Sequence, residues 1–440
     1  MKNKKKPIDR RTFLKTTTLG SVSLALSMGI DNKTMAGQAE NSTDVKEIPY
    51  RILGKTGASI PILGMGCDDW VTKQSLLRIA FNLGVRYWDA SSVYENGKTE
   101  IGIGQYFAKY PENRGKVFIA SRAAGTVDPK EMTYALEQSS ERMQTDYIDW
   151  YSLHGAVDLS ALTPEMKAWA EQKKKEGKIR LFGFTSHANM AEMMMGAAKH
   201  SWIDVIMTSY NYRLINDDDI KKGMDAIEKA GIGFIAMKPQ GKVFAPPQSI
   251  PPGSPEGSPP GPGVAGQGSP PGPPPEMQAA DEEPEDLSAM SHFIEKGYTL
   301  EQAKLKLLWE DKRVAACLTR MSNLTMLKDN IAAATDSRKL SSLDIKVLNR
   351  LAEKTYNFYC KGCMRCESVV SPESRIPDVL RYMMYYNSYG ESDEARRQFR
   401  ELPDTLRSSL ASRDYSPAER ICPNKIKIGE AMKEAVRLLA

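Results

Sequence analysis

The stretch Arg86-Tyr-Trp-Asp-Ala-Ser-Ser-Val-Tyr-Glu-Asn-Gly-Lys-Thr-Glu-Ile-Gly-Ile-Gly104 decides the fold. Tyr87 and Trp88 end an apolar run that reads as a short buried strand, with Asp89 at its tip. Tyr94 follows in a loop, and a helix is predicted to start near Lys98. An acid at a strand's C-terminal end, followed by a loop tyrosine, is how a parallel barrel presents reactive groups. Taken alone, the same stretch also reads as a strand-capping Asp and a surface Tyr, so the pattern on either side has to choose.

Outward from that stretch, strand-like and helix-like segments alternate. Strands are predicted at 62–66, 86–90, 117–122, 148–153, 179–184, 205–208, 233–237 and 315–320. Helical patterns fall between them at 72–83, 99–110, 128–143, 164–176, 190–199, 220–230 and 300–310. Two more helical patterns, 324–334 and 341–356, follow the last strand. This alternation implies the α/β class and a (β/α)8 barrel of the TIM type over 47–340. Residues 50–61 precede it as a hairpin turning around Gly54 and Gly57. Asp89, Tyr94, Arg122 and His154 then fall at or just past the C-terminal ends of the second, third and fourth strands, converging on one mouth.

Two segments stand outside this rhythm. Residues 243–286 are rich in proline and glycine without a triplet period, which excludes collagen and reads as a solvated loop inserted at the barrel mouth. Residues 1–39 carry eight basic and two acidic side chains, and without them the chain holds 52 basic against 53 acidic residues. The net charge of +5 therefore belongs to the N-terminus, and no nucleic-acid surface is implied. That segment has a basic start, Asp9-Arg-Arg-Thr-Phe-Leu-Lys15, and an apolar run at 19–30 too short to span a bilayer, which takes about 20 residues. It resembles a twin-arginine export signal. The resemblance implies the translocation machinery as a partner and a periplasmic destination, with the signal either removed or kept as a membrane tether.

Over residues 47–334 the chain resembles the aldo–keto reductases. The residues that carry the likeness are Leu53-Gly-Lys-Thr-Gly57, Asp89 with Tyr94, Asp146-Tyr-Ile-Asp149 with His154, Lys178-Ile-Arg180 with Gly183, Thr185-Ser-His187, Tyr210-Asn211, and Ser322-Asn323 with Asn330. The resemblance implies a carbonyl or alcohol substrate and NADP or NAD as hydride carrier. Tyr94 becomes the general acid, Asp89 the supporting carboxylate and His154 the donor that orients the carbonyl. A phenol with a pKa near 10 needs a nearby cation to act at neutral pH. The family has lysine there, and this chain has Arg122, whose planar fork places the charge differently. Met207 stands where a glutamine usually meets the nicotinamide amide, leaving Thr185 and Ser186 to bond that amide. Arg320 and Asn330 complete the expected nucleotide residues, with Arg320 placed to meet a 2′-phosphate.

Residues 341–440 read as a small helical domain. Cys360-Lys-Gly-Cys363-Met-Arg-Cys366 and the distant Cys422-Pro423 supply four thiolates, the ligand number of one [4Fe–4S] cluster. Structural zinc and disulfides are the alternatives. Cys67 and Cys317 sit at barrel strand ends and read as buried or loop thiols. The joint expectation is an exported oxidoreductase with a cluster-bearing tail and a redox partner protein. A barrel kept as a non-catalytic scaffold, favoured by Arg122 and Met207, is the other reading.

Overall fold

The computed structural model describes residues 47–67, 71, 73–244 and 285–440. The N-terminal segment on which the export signal is expected and nearly all of the Pro/Gly-rich insertion lie outside the described residues. A short antiparallel hairpin, β1 (Tyr50–Ile52) and β2 (Ser59–Pro61), leads into eight parallel strands. These are β3 (Leu63–Gly66), β4 (Tyr87–Asp89), β5 (Phe118–Ala123), β6 (Ile148–Leu153), β7 (Ile179–Ser186), β8 (Val205–Ser209), β9 (Gly233–Met237) and β10 (Val314–Arg320). Each pairs with the next in sequence, and β10 returns to β3 from Cys317 opposite Leu63 to Arg320 opposite Gly66, which closes the ring. The expected (β/α)8 barrel is the fold.

Both faces of every strand are covered, which is why the strands read as nearly continuous apolar runs. Tyr87, Ala120, Trp150, Leu181, Met207 and Ile235 fill the interior. Their neighbours Trp88, Ile119, Tyr151, Phe182, Ile206 and Phe234 face the outer helices. Because side chains alternate with a period of two, the inward Tyr87 makes Asp89 inward one step nearer the mouth. Ala120 does the same for Arg122, and Trp150 for Ser152. The hairpin plugs the opposite end with Leu53 and Ile60, both fully buried. Gly54 there has φ +57, and a Cβ on it would lie 2.4 Å from the Gly231 carbonyl oxygen, so only glycine fits. Arg51 ties this floor shut by donating to the carbonyls of Trp309, Asp311 and Val314.

The predicted helices are present with end shifts of a few residues: α1 (Gln74–Asn82), α2 (Lys98–Lys109), α3 (Pro129–Met143), α4 (Pro164–Lys175), α5 (Met190–Ala197) and α6 (Asp218–Lys229). Their starts are chemically marked. Asp128 accepts from the Lys130 and Glu131 amides before Pro129, and Thr163 caps Met166 before Pro164. Within the barrel one helix was not expected: α7 (Glu285–Glu295), which begins at the end of the predicted loop 243–286. Its Ala289 and Phe293, four residues apart, pack with Leu300, Leu348 and Leu351 of α8 (Leu300–Glu310) and α10 (Ser342–Lys354). That two-residue stripe is too short to stand out beside the acidic and proline-rich run preceding it. Between α8 and α10, α9 (Leu324–Thr335) follows β10.

Beyond α10 come α11 (Glu367–Val370), α12 (Ile376–Met384), α13 (Ser392–Arg400), α14 (Asp404–Ser409), α15 (Ser416–Ile421) and α16 (Ile428–Leu439). They share a core of their own that includes Ile376, Leu380, Met383, Phe399, Met432 and Leu439. Of these, α12 is α-helical only to Met384 and continues as a π-turn over Tyr385–Tyr389.

Candidate active site

Asp89 ends β4, is buried, and forms an ion pair with Arg122 of β5. The Tyr87 hydroxyl stands 3.5 Å from the other carboxylate oxygen, and Arg122 Nε donates to the Ala90 carbonyl at 3.1 Å. The guanidinium is thereby locked between two strand tips, with its central carbon 5.7 Å from the centre of the Tyr94 ring. Burial pulls Arg122 down to about 10, so it stays cationic at neutral pH beside that phenol.

Tyr94 stands in a tight turn between β4 and α2, where Glu95 and Asn96 adopt left-handed backbone. Its ring meets His154 edge to face, with centroids 5.7 Å apart and planes at 89°. Ser91 Oγ lies 3.0 Å from His154 Nδ1 and holds the ring in place. Burial, together with the positive charges of Arg122, Arg381 and Lys238, drops His154 to about 3. It is therefore a neutral imidazole at ordinary pH, able to donate one hydrogen bond to a carbonyl oxygen. The four sequence-predicted groups Asp89, Tyr94, Arg122 and His154 do meet at one rim.

A cleft of about 1060 Å³ is lined by Asp89, Tyr94, Arg122 and Met207, while His154 stands against Tyr94 without forming part of its wall. The remaining predicted nucleotide residues divide. Arg320 lines the cleft, but it is already held by Glu391 at 2.6 Å and donates to the Tyr389 carbonyl at 3.1 Å. Asn330 donates to Thr319 Oγ1 and to the Arg320 carbonyl, so it pins the end of β10. The Thr185 hydroxyl accepts from the Gly155 amide at 3.0 Å, and Ser186 Oγ donates to the Ala188 carbonyl at 2.7 Å. Both hydroxyls are thus engaged by neighbouring loops.

Sequence reading gave no site role to His187, although it named the residue in a motif, and missed Lys238, Tyr385, Tyr389 and Glu391; all five line the cleft. His187 and Lys238 each follow the last residue of a barrel strand, a position that could have flagged them. The two tyrosines arrive from the C-terminal helices, which no local pattern assigns to this wall.

The four tail cysteines share one small apolar cavity of about 360 Å³, closed by Ile376, Pro377, Leu380, Ile426 and Ile428. None is in a disulfide. Burial and the neighbouring thiols push Cys360 and Cys366 up, Cys366 to about 12, so a positive group is needed to make them thiolates. Among the described residues, no three or more His, Cys, Asp or Glu side chains gather closely enough to hold one metal ion. The cysteine loop is seated on the barrel mouth: the Asn189 amide donates to the Gly362 carbonyl at 2.8 Å, and Lys361 pairs with Asp217 at 2.6 Å.

The family model described as "Aldo/keto reductase family" matches residues 69–353. L-galactose dehydrogenase of Arabidopsis thaliana is 23% identical over 314 residues, which cover 67% of this chain and 90% of that protein. The uncharacterized oxidoreductase YqkF of Bacillus subtilis is 25% identical over 314 residues, 68% of this chain and 94% of its own. Among solved structures, the holo form of an aldo-keto reductase from Bacillus halodurans superposes with a TM-score of 0.52 at 20% identity, covering 69% of this chain and 96% of that one. An aldo-keto reductase from Klebsiella pneumoniae in complex with NADPH gives 0.50 at 20% identity, over 70% and 95%. At that identity the two structures speak for the fold, and the family match ends before Cys360. The chain belongs to the aldo/keto reductase family and is an oxidoreductase of that type.

Proposed function

We propose that the protein interconverts a small carbonyl compound and its alcohol, with Tyr94 as the proton donor and acceptor. The observation that carries this reading is the convergence of the Asp89–Arg122 ion pair, Tyr94 and His154 on one rim. Arg122, held in orientation by Asp89, favours the phenolate and so eases loss of the proton from Tyr94. His154, neutral and steadied by Ser91, donates to the carbonyl oxygen as negative charge grows there. NAD(P)H, when bound, supplies the hydride. Met207 and Met237 offer an apolar floor for its flat ring, and the Glu391–Arg320 pair stands at the expected phosphate end.

Cys360, Cys363, Cys366 and Cys422 are proposed to hold one [4Fe–4S] cluster, which would supply one-electron transfer or a structural clamp. A mononuclear zinc site needs four sulfurs at about 2.3 Å from one point. The four thiols line one apolar cavity, and in a cubane cluster each thiolate binds its own iron. The tail would then meet a redox partner protein, while the N-terminal segment takes the folded chain to the periplasm through the twin-arginine route. Transport in the folded state fits a cluster installed before export.

A second reading is favoured by one observation. Glu391 occupies Arg320, so a barrel that serves as a docking scaffold needs no nucleotide. Tyr94→Phe assayed against a panel of aldehydes and quinones tests the first reading. Unchanged turnover removes Tyr94 from the reaction, and no turnover by either form, with no NADP(H) bound, leaves the scaffold.

A further inference from the structure

Lys238 follows β9 directly, at the strand end facing the cleft, and adopts φ +52, a conformation that lysine rarely takes without a reason. Its Nζ lies 2.8 Å from Tyr385 Oη and 4.8 Å from the centre of that ring, so the π-turn of the C-terminal segment fixes it in place. π-Turns concentrate at functional positions. The other cations around it all have carboxylates: Arg122 has Asp89, Arg320 has Glu391, Arg381 has Asp378, Lys242 has Glu301 and Lys361 has Asp217. Among the described residues, Lys238 makes no ion pair with a carboxylate, although it lines the same cleft as Tyr94.

We propose that Lys238, with Tyr385 beside it, is the seat for a carboxylate carried by the substrate, so that the enzyme acts on carbonyl compounds bearing one negative charge. This rests on the reductase reading above. The ammonium has three donors, Tyr385 occupies one, and two remain for a carboxylate. One cation without a carboxylate matches a monoanion rather than a phosphate dianion, which needs more positive charge. Leu318 lines the same cleft and suits an apolar body between the charged end and the carbonyl. The charged and titratable groups facing Lys238 are Tyr385 and Arg381 from α12 and its π-turn, Glu391 beyond it, and His187 at the end of β7. Burial and the positive charge of Arg381 hold Lys238 well below the ordinary lysine range. An arriving carboxylate reverses that shift, so binding takes up a proton and weakens as pH rises.

The test compares 4-carboxybenzaldehyde with its methyl ester, using NADPH, in the full chain and in Lys238→Asn and Lys238→Arg. Asparagine tolerates left-handed backbone and removes the charge without straining the turn. The wild type is expected to favour the acid over the ester by at least about tenfold in kcat/KM, the scale of a charge-assisted hydrogen bond. Lys238→Asn should erase that preference through KM, and Lys238→Arg should keep most of it. Equal handling of acid and ester by the wild type overturns the proposal, as does an equal loss on both in Lys238→Asn. If neither aldehyde turns over, calorimetric titration with the monoanion 4-(hydroxymethyl)benzoate decides the anion seat separately from the reductase reading. Binding that disappears in Lys238→Asn supports it; binding unchanged by the substitution, or absent from the wild type, overturns it.

Discussion

At Tyr94 the chemistry reduces to one hydroxyl with a locked guanidinium near its ring. Replacing it with phenylalanine keeps the edge-on contact with His154 and removes only the hydroxyl. Turnover should fall about 10²- to 10⁴-fold with KM little changed, measured in steady state on whichever aldehyde proves active. His154 makes a different prediction. Its folded value of about 3 lies below the unfolded value of about 6.5, so the native protein refuses a proton that the unfolded chain accepts. The stability it confers is complete above pH 6.5 and is lost as pH falls towards 3, at about 1.4 kcal/mol per pH unit. Denaturant melts of His154→Gln should therefore lose one proton's worth of acid sensitivity. In the active wild type, kcat/KM should show no inflection near pH 6.5 from this group. Asp89, Tyr94 and His154 were legible because strand alternation and strand ends are local properties. Lys238 was not, because its interest comes from a left-handed turn and from Tyr385, 147 residues away along the chain.

Two joints between elements carry the assembly. Gly362 has φ +67, and a Cβ there would fall 2.1 Å from the His187 carbonyl oxygen. Gly362→Ala should cost about 1–3 kcal/mol, because left-handed strain adds to a backbone clash. The thermal midpoint should drop, and iron retained after anaerobic reconstitution should drop with it. The other joint is the pair between Arg320 of β10 and Glu391 before α13. If the guanidinium also serves a 2′-phosphate, Glu391→Gln should tighten NADPH by about tenfold while leaving NADH unchanged, since a charge-assisted hydrogen bond is worth about that much. Fluorescence titration of the two nucleotides reads the ratio. The helix starts expected at 128, 164 and 341 came within a residue of the observed ones, where Asp128, Thr163 and Ser341 accept from amides of the first turn. The helix at Glu285–Glu295 was not, since its case rests on packing against α8 and α10.

Across the whole molecule, the C-terminal helices form one wall of the barrel's cleft through Tyr385, Tyr389 and Glu391, and their cysteine loop rests on the β7–α5 turn. His187 and Lys238 border both that cleft and a second cavity of about 470 Å³ that reaches Cys360. Anaerobically reconstituted protein should contain about four irons per chain, one for each thiolate. Cys422→Ser should lower that number and weaken the broad visible absorption. A single zinc per chain, insensitive to iron supply, would remove the cluster.

The sequence by itself determined the barrel, its order of strands and the rim to which Asp89, Tyr94, Arg122 and His154 belong. Period-two alternation and strand-end position are written in neighbouring residues, and eight repeats leave one way to close. Only the tertiary structure decided that Glu391 takes Arg320 and that Tyr385 meets Lys238. Those contacts join segments far apart in the chain, and no local periodicity encodes which surface a docked helix will cover.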